Sequence, residues 1–465
     1  MNAPIVRPPA GQTEKPRPEE GRFVTGSTMR HVVVMASTGS IGLVAIFAVD
    51  LLSLLYISWL GDPSLTAGVG LATIVLFLAT SINVGLMIAI GALVARSLGA
   101  RNRDGARRLA ASTLIWTAVV ATFAVLVLMP LVPWILGLLG ARGETAIAAQ
   151  LFLMIVLPSN VVMAIGMGMS GVLRAVGDAR RAMYLTLAGA VATAILDPIL
   201  IFGMGWGVTG AALGMVMSRF VFVAIGYYYI RHIHDLLARP SWNDIFGHAR
   251  PMFGIAIPAV LTSVATPIAA GFLAGVIARY GDEAIAGNAI IERLTPVAFG
   301  GLFALSGAVG PILGQNWGAE RFDRMRAVLR DSMLVTGGYI LVTWLVLVLA
   351  RDAIVAAFGA SGDTASLVIF FCLVSGPMWF FNGLLFVSNA SFNNLGFPLY
   401  STAFNWGRAT LGTMPFALLG AHYGGPEGAI LGVGIGSVVF GTAAIVTAFW
   451  AMRRLERAAG GTSQG

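Results

Sequence analysis

The chain has 465 residues, of which 57% are hydrophobic and 11% are charged, and its mean hydropathy is +0.84. Soluble globular proteins carry about 25% charged residues, so this composition excludes a soluble protein and indicates an integral membrane protein. The single cysteine, Cys372, excludes an internal disulfide and a cysteine-based metal site. A net charge of +8 is compatible with nucleic-acid binding, but in a membrane protein the placement of the arginines matters more than their sum.

The N-terminal residues are polar and rich in proline, and they lack the apolar stretch of a signal peptide. They predict a disordered cytoplasmic tail over residues 1–31. Beyond it lie apolar windows long enough to cross about 30 Å of hydrocarbon as helices. There are twelve such windows: 32–59, 65–93, 110–137, 146–172, 183–204, 209–230, 252–278, 284–313, 332–350, 364–390, 400–420 and 428–451. The sequence therefore predicts an all-α integral membrane protein with twelve transmembrane helices.

Positive charge alternates along the connections between these windows. The two tails and every second connection together carry 23 Lys and Arg, whereas the remaining connections carry only Arg142, Arg279 and Arg351. Because short cytoplasmic connections are enriched in Lys and Arg, both termini are predicted to be cytoplasmic.

Three short motifs recur 218–220 residues later in the chain. They are LGARNRDGARRL (98–109) with WGAERFDRMRAVL (317–329), the Gly61-Asp62 turn with Gly281-Asp282, and GWGVTGAALG (205–214) with YGGPEGAILG (423–432). An even number of helices per repeat gives both repeats the same orientation, and such pairs of bundles place a substrate site between them.

The repeats divide the chain into two pseudo-symmetric six-helix lobes. We expect an N-terminal lobe over 32–230 and a C-terminal lobe over 252–452. A cytoplasmic loop (231–251) joins them, and a cytoplasmic tail (453–465) follows.

The connection LGARNRDGARR, the segment GVLRAVGDARR (171–181), LDPILIFG (196–203) and GQNWGAERF (314–322) resemble the multidrug and toxic compound extrusion (MATE) family over residues 32–452. The resemblance is to the prokaryotic branch with acidic residues in the N-terminal lobe. It implies a monomeric, multi-pass antiporter of the bacterial inner membrane. Such a protein exports toxic organic cations by alternating access, in exchange for H⁺ or Na⁺ and with no other cofactor.

Two carboxylates lie deep inside apolar windows, Asp50 and Asp197. A charge near the centre of a span costs roughly 2.5–3.5 kcal/mol and marks a functional site by default, while burial favours the protonated form of a carboxylate. The alternative is a packing role, with Arg219 as the natural ion-pair partner. Pro198 follows Asp197 directly and is expected to kink the helix.

The family resemblance implies that these carboxylates couple ions. The comparison also shows where this chain departs from the family pattern. Asp197 matches the family pattern, but Ser53 stands where the family has Asp, and Asp50 lies one turn earlier. Thr193 stands where the family has Asn. We therefore expect Asp50, Asp197, Ser53 and Thr193 to couple ions, with H⁺ and Na⁺ both open.

The second lobe has no matching carboxylate, since the repeat partner of Asp197 falls near Pro415. Polar or easily repacked side chains within the spans are candidates for the substrate cavity; interhelical hydrogen bonding or core packing is their alternative role. These candidates are Asn83, Asn160, Glu292, Arg293, Asn382 and Met163.

The residues leave two alternative functions to consider. A flippase of lipid-linked precursors needs a strongly cationic cavity, for which only Arg219, Arg293 and Arg408 are available. A membrane enzyme such as a polyprenyl transferase needs clustered Asp for Mg²⁺, and no such cluster occurs. No P-loop is present, and His232 and His234 lack further ligands for a metal. The expected partners are small-molecule drugs and membrane lipid, without nucleic acid or ATP, and no enzymatic activity is expected.

Overall fold

The structure is a computed structural model that describes residues 21–461, so residues 1–20 of the predicted tail lie outside the described part. Between residues 21 and 461 the chain is helical and contains no strand. The α-helices are α1 Thr28–Ser58, α2 Pro63–Gly99, α3 Arg103–Leu138, α4 Gly143–Val156, α5 Asn160–Val176, α6 Ala179–Pro198, α7 Gly207–Tyr228, α8 Trp242–Ile277, α9 Asp282–Gly318, α10 Phe322–Ala357, α11 Gly362–Asn394, α12 Pro398–Ala409 and α13 Met414–Gly461.

The twelve predicted crossings are confirmed, although the helix boundaries differ from the apolar windows. Eleven segments of the described chain are long and apolar enough to span a membrane, and the last of them, Pro398–Ala459, is 62 residues long. It contains a reversal at Gly424 and Gly425, where Gly425 adopts φ +60°, a conformation that glycine reaches without steric cost. Beyond the reversal, Gly428 packs against Gly420, so this segment crosses twice as an antiparallel hairpin.

The helices form two equivalent halves, α1–α7 and α8–α13. The bounds of α9 and α10 each lie 219 residues after those of α2 and α3. Across the boundary α1 packs against α9, and α2 packs against α8. Because α8 is the repeat partner of α1 and α9 that of α2, this exchange is what a two-fold axis between the halves requires. The prediction of two pseudo-symmetric six-helix lobes is confirmed.

The halves touch directly at one end of the bundle, which we call the N-side because α1 begins there. Both α2 and α9 end at the N-side, where Gly99 packs on the backbone of Gln315 and Gly318 packs on the backbone of Arg96. These contacts are related by the 219-residue repeat. The guanidinium of Arg96 also lies 3.6 Å from the ring centroid of Trp317, a cation–π contact. The N-side is therefore closed between the halves.

Residues 21–27, which we call the N-terminal segment, cover this junction. Phe23 is only 1% exposed, and its backbone N–H donates to Oε1 of Gln315 at 2.8 Å. The guanidinium of Arg324 donates to the carbonyls of Phe23, Thr25 and Gly26 at 2.9–3.1 Å. The prediction of disorder is thus wrong for residues 21–31, because partners about 300 positions away satisfy this backbone.

The predicted loop over 231–251 is shorter than the apolar pattern indicated, because α8 already begins at Trp242. Ser241 and Asp244 form a capping box in which each side chain binds the backbone N–H of the other. Such a box satisfies two N–H groups that a helix start leaves free. The last ten residues of the predicted loop therefore belong to α8.

The remaining loop is tied to the start of α6. Nε2 of His234 lies 2.9 Å from Oδ2 of Asp178, and Nη1 of Arg181 bonds the same oxygen. Burial alone would raise the pKa of Asp178, but these hydrogen bonds outweigh it and hold the pKa below its usual range. Because the folded-state pKa is lowered, this stabilisation is present above the ordinary Asp pKa and is lost only as the pH falls through the lowered value.

Residues 21–461 contain no group of three or more His, Cys, Asp or Glu that could hold a metal.

Candidate functional site

Asp197 lies at the end of α6, where the helix geometry changes. Pro198 is the last residue of α6, and the chain continues through one π-helical turn, Ile199–Gly203. Proline has no backbone N–H and cannot donate to the carbonyl one turn earlier. The backbone widens directly after it, and π turns of this kind are frequent at functional sites.

The Asp197 side chain is 1% exposed and lies between α1 and α7. The Ser53 hydroxyl of α1 donates a short hydrogen bond to Oδ2 of Asp197. The other oxygen, Oδ1, faces Gly214 of α7 and has no hydrogen-bond partner in the described part of the chain. A buried, unsatisfied carboxylate oxygen is costly. Oδ1 is therefore placed to take up a proton or a small cation.

Asp50 lies one turn before Ser53 on α1 and is exposed. Residues three apart on a helix differ by about 60° in direction, so Asp50 points midway between Phe47 and Ser53. Phe47 lies against Gly300 of α9 and Ser53 bonds to α6. Asp50 thus faces the gap between the two halves. The structure joins Ser53 to Asp197 by a hydrogen bond and places Asp50 one helical turn from Ser53.

Thr193 lies one turn before Asp197 on α6. Its hydroxyl donates to the carbonyl of Gly189 in the same helix at 3.1 Å, its only hydrogen bond among the described residues. This bond is a local one that helical threonines commonly form. Thr193 therefore gives no support to the Asp197 carboxylate in this conformation.

The candidates for the substrate cavity are not assembled around this site. Asn83 and Asn160 are both buried and bond each other at 2.9 Å, and Met163 packs against a buried apolar cluster that the first half forms with α8. Asn382 is half-buried, and its one hydrogen bond among the described residues is to the carbonyl of Met378 in its own helix.

Glu292 and Arg293 are both exposed on α9. Glu292 accepts a hydrogen bond from Asn288 of the same helix at 3.3 Å. Within residues 21–461, neither side chain forms a hydrogen bond or ion pair with Asp50 or Asp197. The chemistry-bearing groups that meet in this structure are therefore those of α1 and α6.

The alternative in which Arg219 pairs with a membrane carboxylate is not supported, since Arg219 forms no ion pair with Asp50 or Asp197 in the described part of the chain. Its Nη1 donates to the carbonyl of Val156 at 3.1 Å and to the Ser159 hydroxyl at 2.8 Å. Those residues flank the 3₁₀ turn Leu157–Ser159 between α4 and α5, where Pro158 interrupts the regular helix. Arg219 thus ties α7 to the turn between α4 and α5, through one carbonyl and one hydroxyl.

We expect Arg219→Gln to lower stability without removing transport. A hydrogen bond made by a charged group contributes about 1.5–3 kcal/mol, and the variant loses those that join α7 to this turn, so the apparent Tm in detergent should fall by several degrees. Thermal unfolding of the purified variant measures this, with export per folded molecule as the companion readout. An unchanged Tm would show that the turn does not depend on the guanidinium.

Arg174 is a residue that the sequence did not single out, because it counted only as one of the cations between two spans. In the structure it belongs to the last turn of α5, is half-buried, and points its Nη1 against Gly307 of α9. Its position beside the other half, rather than its sequence context, reveals it.

A family model described as MatE matches residues 40–199 and again residues 258–419. The two matches are offset by 218–220 residues, which is the spacing of the sequence repeats. Together they cover more than half of the chain.

Two relatives and one solved structure are similar to most of this chain. The FAD transporter of Shewanella oneidensis is 26% identical over 430 residues, which are 89% of this chain and 93% of that protein. The multidrug export protein MepA of Staphylococcus aureus is 25% identical over 343 residues, 72% of this chain and 75% of that protein. A solved structure of a MOP superfamily transporter from Pyrococcus furiosus superposes with a TM-score of 0.87 at 20% identity and covers 94% of this chain and 99% of that chain.

Proposed function

The chain belongs to the MatE family, the multidrug and toxic compound extrusion transporters, and on this premise we propose that it exports small organic cations in exchange for H⁺ or Na⁺. The similarity to the multidrug export protein of Staphylococcus aureus supports a small-molecule drug as the substrate. The chain is a multi-pass membrane protein, and we place it in the bacterial inner membrane.

The observation that carries the proposal is the free oxygen of Asp197. Oδ1 is buried, has no donor within the described residues, and lies in the half that also holds Ser53 and Asp50. Binding a proton or Na⁺ there would remove the cost of the unpaired charge. Binding and release of that ion would therefore change the contacts that Asp197 makes with α1 and α7.

In the cycle we propose, the N-side is cytoplasmic, in keeping with the 23 positive charges of the tails and alternate connections. An ion enters from outside and binds at Asp197 and Asp50. The helices around Asp197 rearrange, and the drug leaves outward. Discharge of the ion into the cytoplasm, after the contacts of Gly99 and Gly318 have opened, restores the cavity for the next drug molecule.

The driving force of a one-for-one exchange is the concentration gradient of the coupling ion. A monovalent drug that leaves while one H⁺ or Na⁺ enters moves no net charge, so the membrane potential cancels. A tenfold ion gradient supplies about 1.4 kcal/mol and sustains roughly a tenfold drug gradient.

The proposal is tested with purified protein in proteoliposomes. A permanently cationic fluorescent dye should move against its gradient when a pH gradient or a Na⁺ gradient is imposed, and an ionophore that collapses the driving gradient should stop it. The gradient that drives transport identifies the coupling ion. Dye movement equal to that of protein-free liposomes under both gradients would overturn the proposal.

A second candidate function is export of a flavin nucleotide, which the 26% identity to the FAD transporter over 89% of this chain favours. The same vesicles loaded with FAD distinguish the two candidates. Gradient-driven movement of FAD without movement of the cationic dye would favour this candidate over drug export.

A further inference from the structure

A small cavity lies between the two halves near the N-side. Its volume is about 40 Å³, and it is lined by Thr38, Gly42 and Ile46 of α1, Thr186 of α6, Gly307 of α9 and the side chain of Arg174. One buried water needs roughly 10–15 Å³ measured in this way, so the cavity has room for about three waters. A drug-sized ligand needs roughly 300–1,000 Å³. The cavity therefore fits one chemical group rather than a whole drug.

Arg174 is the one charged side chain of the lining. Its guanidinium makes no hydrogen bond and no ion pair with any residue between 21 and 461. The carboxylate of Asp178, four residues on, is already bound to His234 and Arg181. The guanidinium thus stands half-buried without a counter-charge, which is an unfavourable arrangement unless an anion completes it.

The two hydroxyls of the lining already donate to carbonyls of their own helices, so the donors that face the cavity are those of Arg174. The hydroxyl of Thr38 donates to the Val34 carbonyl at 2.7 Å, and that of Thr186 donates to the Ala182 carbonyl at 3.1 Å. The other lining side chains are apolar or absent. A guanidinium presents parallel N–H groups that match the two oxygens of a carboxylate or phosphate.

We propose that the Arg174 cavity binds an anionic group, a carboxylate or a phosphate, of the transported molecule. This rests on the proposed export function and extends its substrates from pure cations to amphipathic molecules that also carry an anion. The cavity level at Gly42 lies eight residues from Asp50 on α1, or ~12 Å at 1.5 Å per residue. A zwitterion of that length places its amine at Asp50 and its anion at Arg174.

The test uses two rhodamine dyes that differ in one group, a dye with a free benzoate and its methyl ester. Binding to purified protein in detergent is followed by fluorescence polarisation. Arg174→Gln should weaken binding of the benzoate dye about tenfold, equivalent to about 1.4 kcal/mol, and leave the ester unchanged. Arg174→Lys keeps the charge but not the fork of N–H groups and should give an intermediate loss. The matched control is Arg180→Gln, which removes an exposed arginine of the same connection.

Equal weakening of both dyes by Arg174→Gln and Arg174→Lys would overturn the proposal, since it would show a structural role. Unchanged benzoate binding in both variants, or no benzoate binding by the unmodified protein, would also overturn it. Failure of the export function has a different signature. In that case the dyes still discriminate between Arg174 variants in detergent, but neither dye moves under an ion gradient in vesicles.

Discussion

Asp197→Asn is expected to reduce gradient-driven export to the level of empty vesicles while the protein stays folded. Asparagine has the same shape and can still accept the hydrogen bond from Ser53, but it cannot take up a proton or balance a cation. The measurement is dye transport in proteoliposomes, together with drug resistance of cells that express the variant. Undiminished export by Asp197→Asn would exclude this carboxylate as the coupling site.

Two companion variants make that result specific. Asp352→Asn removes an exposed carboxylate whose ion pair is with the adjacent Arg351 at 3.7 Å, and its transport should match that of the unmodified protein. Ser53→Ala removes the donor to Asp197 but keeps the carboxylate. Its export should be slower but still driven by the same ion.

The second large effect is expected from Gly318→Ala, which should destabilise the closed N-side. A β-carbon at position 318 would overlap the Arg96 carbonyl and lie 2.8 Å from the backbone nitrogen of Ala100. Overpacking of this kind costs about 1–3 kcal/mol, which corresponds to roughly a 5- to 150-fold loss in the population of the closed form. Gly99→Ala should act in the same way, because it meets the backbone of Gln315 at the repeat-related position.

The population change can be read by cysteine labelling. Cys372 is buried and is replaced by serine, and Ala308, 2% exposed and lining the Arg174 cavity, is replaced by cysteine. A membrane-impermeant maleimide added at the N-side should label this cysteine faster in the Gly318→Ala protein. Gly338→Ala is the matched control, since nothing lies within 4 Å of a β-carbon there. Equal labelling in all three proteins would mean that the glycine contacts do not hold the N-side closed.

The fold was predictable because its main determinants are local or periodic. Apolar windows locate the crossings, and the repeated LGARNRDGARRL motif reveals the two halves. The helix ends were less predictable, since they depend on polar caps beyond the apolar windows. Asp62 and Asn102, for example, accept hydrogen bonds from the first turns of α2 and α3.

The site was predictable only in part, because its contacts are long-range. The cost of Asp197 in a span can be read from the sequence, and Ser53 was singled out by family resemblance. Their hydrogen bond, however, joins residues 144 positions apart. The contacts of Arg219 and Arg174 were not predicted from the sequence. Arg219 was the alternative ion-pair partner of the carboxylates and instead binds a carbonyl and a hydroxyl. Arg174 reads as a loop cation until the other half is placed beside it.

In the proposed cycle, the N-terminal segment bears on the rate of transport rather than on its direction. It is covalently continuous with α1 of the first half, yet Gln315 and Arg324 of the second half hold its backbone. In the proposed cycle the halves separate at the N-side, and the N-terminal segment is then released from the second half. The hydrogen bonds to Gln315 and Arg324 and the burial of the Phe23 ring would be lost together, which would raise the activation barrier of opening. Under this proposal, some seven residues ahead of the first transmembrane helix slow turnover.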